Sequence, residues 1–123
     1  MSLADVQITL APNALVAHVT GEIDMSNAEE MGATVIGATP IEAQGVVLDL
    51  SKLDYLDSAG IYVIYGMRSS LQARGQALIL VIPPRSPVHD ALRLSGAEHP
   101  GEVTEAVEDA LRALDDLEPP TTL

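Results

Sequence analysis

Two stretches near the start of the chain, Val6 to Leu10 and Leu15 to Thr20, alternate apolar and polar residues with a period of two, and Ala11-Pro12-Asn13-Ala14 between them has turn composition. A β-hairpin is predicted. In its second strand Leu15, Ala17 and Val19 share one face, and Val16, His18 and Thr20 the other, so His18 is expected to point to solvent or a lightly covered sheet face rather than to bind a ligand. Val46-Val47-Leu48 and Ala77 to Ile82 are apolar without alternation, the pattern of strands covered on both faces. Asp49 interrupts the first of them and is expected to hydrogen-bond a nearby backbone group at the strand end.

Between these runs the period changes to that of a helix. Ser26-Asn27-Ala28-Glu29 has the form of a capping box, followed by Ala28, Met31, Val35 and Ile36 on one stripe, with Gly32 and Gly37 weakening the helix and Pro40 ending it. A second helix, about Ser58 to Arg74, aligns Gly60, Ile64, Met67 and Leu71, flanked by Ile61 and Arg68, with Gly75 placed as its C-terminal cap. Gly66 in its interior either admits a close neighbour or is merely tolerated. Ser86-Pro87 starts a helix carrying Val88, Ala91 and Leu92 that Gly96 ends, and Glu102 to Leu114 reads as a last helix bearing Val103, Val107, Ala110, Leu111 and Leu114. Strand-helix-strand units force parallel neighbours while the hairpin is antiparallel, so the expectation is one α/β domain with a mixed sheet of four or five strands and about four helices. The domain is expected over residues 1–117, with 118–123 as a flexible tail starting around Pro119-Pro120.

Composition narrows the function classes. A chain of 123 residues with 47% hydrophobic content can close one modest core, and with no cysteine it has neither disulfides nor thiolate chemistry. No run approaches the ~18 apolar residues of a membrane span, and no basic-then-apolar export signal is visible, so a cytoplasmic protein without direct membrane insertion is expected. The net charge is −12, and its six positive residues, from Lys52 to Arg112, are scattered. Nucleic acid would be repelled, and the acidity serves either solubility alone or attraction of a basic protein partner. Tyr55, Tyr62 and Tyr65 are the only aromatic residues, and they sit in or just before the second helix, where at least one is expected at the surface.

Candidate chemistry converges on Asp57-Ser58-Ala59-Gly60, between a buried strand and an amphipathic helix. A nucleophile elbow would need glycine two residues before the serine, where Leu56 stands, and neither His89 nor His99 lies in a triad pattern; no enzymatic activity is expected. His18, His89 and His99 lack metal-ligand spacing, Asp54-Tyr55-Leu56-Asp57 lacks the features of a calcium loop, and the glycines form no phosphate-binding loop, so no metal and no cofactor are expected. Ser58 is then either an ordinary helix N-cap or an acceptor for phosphate, which the free N–H groups and dipole of a helix N-terminus would favour.

Gly21-Glu22-Ile23-Asp24, Val46-Val47-Leu48-Asp49-Leu50, Asp57-Ser58-Ala59-Gly60-Ile61, the apolar strand from Ala77 and Leu94-Ser95-Gly96 occur in this order, and together they resemble the STAS domain of bacterial anti-sigma factor antagonists over roughly Val6 to Leu114. The resemblance implies a mixed sheet with helices mostly on one side and a phosphoacceptor serine at Ser58. It implies as partners an anti-sigma factor of the ATP-binding serine-kinase type, bound by the unphosphorylated protein so that a sigma factor is freed, and a PP2C-type phosphatase that resets the switch. The docking surface it implies comprises Asp24, Asp57, Ala59, Gly60, Ile61 and Tyr62. Ala59 stands where a second serine is frequent, leaving one hydroxyl in the turn. With nothing large appended, a stand-alone antagonist is expected; the alternative is a constitutive STAS scaffold module of a transporter or lipid-transport complex, in which Ser58 is only a cap.

Overall fold

The computed structural model describes residues 4–95 and 103–117, so Gly96, His99 and the expected tail at 118–123 lie outside the described residues. Strands β1 (Asp5–Ala11) and β2 (Ala14–Ile23) form the hairpin; then follow α1 (Ala28–Ala38), β3 (Gly45–Asp49), β4 (Leu53–Leu56), α2 (Ser58–Gln72), β5 (Ala77–Val81), α3 (Pro87–Ser95), β6 (Val103–Thr104) and α4 (Val107–Asp115). The sheet runs β1-β2-β3-β5-β6, with β4 beside the far end of β2. Only β1 is antiparallel to its neighbour, and the other pairings are parallel. The mixed α/β sheet with four helices agrees with the pattern reading.

Two strands escape that reading. β4 is four residues long and β6 two, too short for any period, and both exist because longer strands offer them an edge. Val103 therefore belongs to β6 opposite Leu80, not to the last helix, which begins at Val107.

Burial explains the layers. Leu15, Ala17, Val19, Val46, Leu48, Leu78 and Leu80 face a core shared with α1, α2 and α3, including Val35, Met67, Leu71, Val88 and Leu92. On the opposite face Ala14, Val16, Val47, Ile79 and Val81 meet Ala110 and Leu114 of α4 alone. β3 lies between β2 and β5, and its apolar run is buried on both faces as expected.

α1 and α2 approach closely because Gly32 has no side chain: a Cβ there would lie 2.7 Å from Val63 Cγ1. Past the end of α2 stands Gly75 (φ 74°), whose N–H donates to Gln72 O at 3.0 Å while Gln76 N–H donates to Leu71 O at 2.9 Å, the paired bonds of a Schellman motif. Gly66 differs from both. It is exposed, and a Cβ there would meet nothing within 4 Å. Gly66→Ala is expected to raise stability by about 0.5–1 kcal/mol by restricting the unfolded chain, read as a higher urea midpoint with unchanged slope.

Candidate functional site

Gly21 is where β2 changes partner. Up to His18 the strand pairs with β3; from Gly21, opposite Leu53, it pairs with β4, and a register shift between Gly21 and Glu22 sets Ile23 beside Leu56. Gly21 has φ 89°, a left-handed conformation that costs glycine little and suits a bulge. The ends of β2 and β4 thus lie side by side, and the turns after them form one surface. Asp57 N–H donates to Ile23 O at 3.3 Å across this junction.

The turn after β2 is fixed from inside. Buried Asn27 accepts from Asp24 N–H at 3.0 Å and donates to Glu22 O at 2.9 Å, clamping the backbone on both sides of Ile23. Asp24 accepts from the Ser26 amide at 2.8 Å and from the Ser26 hydroxyl. These two bonds hold its carboxyl below the usual aspartate range. They also dissolve the expected capping box: the Ser26 hydroxyl is taken by Asp24, and α1 starts from Asn27 with no side-chain cap.

α2 starts differently. Asp57, extended at its N-cap, accepts from Gly60 N–H at 3.1 Å. Capping therefore falls to Asp57, and Ser58 is the first helical residue, exposed to solvent. Gly60 is buried against β2 and β4: a Cβ would strike Leu56 Cδ1 and come 2.8 Å from Ile23 Cγ2. Its missing side chain lets the first turn of α2 sit on the two strand ends. Ile61 is half-buried against the core, Ala59 is half-buried, and Tyr62, one turn after Ser58, is 80% exposed. Tyr55 is also exposed and Tyr65 partly buried, so the expected surface tyrosine is present. Beside Tyr62 a groove of about 390 Å³ opens between α1 and α2, lined by Glu29, Ala33, Val63, Gly66 and Met67 among others. Asp24, Asp57, Ala59 and Tyr62 thus share the neighbourhood of Ser58, while Gly60 and Ile61 seat the helix that presents it.

Residues 5–110 match the family model of the STAS domain. The chain belongs to the STAS family. Among curated relatives, the candidate anti-sigma factor antagonist BtrV of Bordetella bronchiseptica is 31% identical over 83 residues, 67% of this chain and 70% of BtrV. An anti-sigma factor antagonist from Mycobacterium paratuberculosis shares the fold with a TM-score of 0.77 at 22% identity, over 92% of this chain and 95% of that one. The antagonist SpoIIAA in its unphosphorylated form has a TM-score of 0.73 at 21% identity, over 93% and 99% of the two chains. Its phosphorylated form, from Bacillus, gives 0.62 at 22% identity, over 88% and 97%.

Within the STAS domain the second half of the junction was hidden from pattern reasoning. Asn27 looked like one residue of a capping box; its clamp on Glu22 and Asp24 depends on a strand end that only the sheet provides. Among the described residues no group of three or more His, Cys, Asp and Glu could hold a metal ion, and no helix is long and apolar enough to cross a membrane.

A second polar cluster lies on the sheet face that α4 leaves open. His18 Nδ1 and Asp49 Oδ2 are 2.8 Å apart, and Asp49 Oδ1 accepts from Ser51 N–H at 3.0 Å, the strand-end backbone bond expected of it. Asp5 and Lys52 line the same hollow. Burial pushes the Asp49 carboxyl up, but hydrogen bonds from the Ser51 hydroxyl and amide, then from His18 with its charge, outweigh it and hold the carboxyl below the usual 3.8. A depressed carboxyl stabilises the fold at neutral pH, and that contribution is lost as pH falls through its folded-state value. Between about pH 5 and pH 2 the urea midpoint of wild type should therefore fall more steeply than that of Asp49→Asn.

Proposed function

We propose that this STAS domain is a cytoplasmic anti-sigma factor antagonist whose grip on its partner is switched by phosphorylation of Ser58. The observation that carries the reading is the exposed Ser58 hydroxyl on the first residue of α2, relieved of capping by Asp57. Unphosphorylated, the protein binds an anti-sigma factor through Asp24, Asp57, Ala59 and Tyr62, with Gly60 and Ile61 holding the helix in place, and a sigma factor is freed.

In the phosphorylation step the Ser58 oxygen bonds to the γ-phosphorus of ATP held by the partner kinase, the bond to the β-phosphate oxygen breaks to leave ADP, and the hydroxyl proton departs. The product carries about −1.5 to −2 charges, which the free N–H groups at the start of α2 accommodate within this protein. Toward a partner the effect is opposite. Asp24 and Asp57 already make the surface acidic, so added phosphate repels an anti-sigma factor fitted to the neutral hydroxyl, and a PP2C-type phosphatase restores binding.

The experiment incubates purified protein with ATP, Mg²⁺ and the ATP-binding anti-sigma factor from the same genome, and compares wild type with Ser58→Ala. Wild type is expected to take up one phosphate and Ser58→Ala none. Equal uptake by both would overturn the assignment of Ser58.

A further inference from the structure

The free edge of the sheet carries an inference independent of the phosphoacceptor reading. Among the described residues β1 pairs with β2 alone, leaving its outer edge uncovered. Alternation along an antiparallel ladder turns the N–H and C=O of every second residue away from β2, and such a row is a template for another strand. Soluble proteins guard such edges with lysine, proline, a bulge or very short strands. β1 has none of these: it runs seven residues, DVQITLA, in unbroken register with β2. Val6, Ile8 and Leu10 lie on the same face as Val19, Ala17 and Leu15, yet Ile8 is 37% and Leu10 65% exposed.

We propose that β1 pairs antiparallel with β1 of a second copy about a two-fold axis through Ile8, joining two sheets into one. The chemistry of the strand selects the register. With Ile8 facing its own copy, Val6 faces Leu10, Gln7 faces Thr9, and Asp5 faces Ala11 at the ends. Over the five central residues apolar meets apolar and polar meets polar, only the terminal Asp5–Ala11 pairs are mixed, and any slip shortens the ladder. Each Asp5 sits six residues along the ladder from its copy, about 20 Å at the rise of a strand and about two screening lengths in physiological salt. Charge also favours a second copy as the occupant. Of 18 acidic residues only Asp5 lies in β1, so on a molecule of net charge −12 this edge is where a like-charged copy can approach. Pairing two identical edges gives a closed isologous dimer and leaves no free template at β1.

Sedimentation equilibrium of the purified full chain tests this. The mass is expected to rise with concentration from 12.9 kDa toward twice that value, and to rise further in high salt, which screens the repulsion between the two acidic bodies. Ile8→Lys and Ile8→Glu each set like charges face to face across the axis and should weaken the dimer at least about tenfold. Their equimolar mixture should restore it, because opposite charges then meet. As the chain has no cysteine, Ile8→Cys supplies the only thiol, and oxidation should link two copies through it, whereas Gly66→Cys on exposed α2 should stay unlinked. A mass fixed at 12.9 kDa at every concentration would overturn the proposal. So would a dimer that both Ile8 charge variants leave intact.

Discussion

Gly45→Ala is expected to lose about 3 kcal/mol of stability or more, leaving little folded protein. Gly45 opens β3 directly opposite Ala77 of β5, where an added Cβ would overlap the Ala77 carbonyl oxygen and crowd the Ala77 nitrogen at 2.9 Å. Backbone cannot rotate aside as a side-chain tip can. The neighbouring bonds tighten the constraint: Gln44 N–H donates to Asn13 O at 2.7 Å, and Ala77 N–H donates to Gln44 O at 3.1 Å, so the start of β3 is tied to the hairpin on one side and to β5 on the other. Relief therefore requires parting the central strands of the sheet. Urea unfolding followed by far-UV circular dichroism measures the loss, and a midpoint within error of wild type would mean that β3 and β5 are more loosely joined than the geometry states.

Gly60→Ala is the second large effect, and it reaches the site. The added methyl meets side chains rather than backbone, Leu56 and Ile23, but both are buried, so the first turn of α2 must lift or the two strand ends must repack. A cost of about 1–3 kcal/mol is expected, reduced by the better helix propensity of alanine. Lifting that turn moves Ser58, which sits on it, and lengthens the Asp57-to-Gly60 cap. Phosphate uptake at Ser58 should then fall several-fold at a temperature where the variant is fully folded. If uptake is unchanged while stability drops, the seat of the helix matters to folding alone.

The contrast among glycines shows where pattern reasoning stops. Gly45, Gly60 and Gly66 look alike in the sequence, yet one faces a carbonyl, one faces two buried side chains and one faces open space. Gly75 was legible as a cap because the feature that requires it, the end of an apolar stripe, is local. The start of α2 was half legible. Ser58 reads from the sequence as an N-cap or a phosphoacceptor; the bond from Asp57 N–H to Ile23 O holds Asp57 extended, and Asp57 takes the cap. The same non-local pairing creates β4, whose four residues carry no period of their own. Ser26 failed as a cap for a local reason, since Asp24 two residues earlier competes for its hydroxyl and amide.

By itself the sequence determined the alternation of strands and helices, the buried centre of the sheet, the acidity of the surface and the single serine of Asp57-Ser58-Ala59-Gly60. Each follows from spacing or composition within a few residues, where side-chain period and local hydrogen bonding decide the outcome. Only the tertiary structure decided that Ser58 is exposed and free of capping, that the strand end before Asp24 is bonded to Asp57, and that among the described residues the outer edge of β1 is unpaired. Those facts depend on which distant segments meet, above all on β2 leaving β3 at Gly21 to run beside β4, and the energy of that pairing is shared between residues some thirty positions apart.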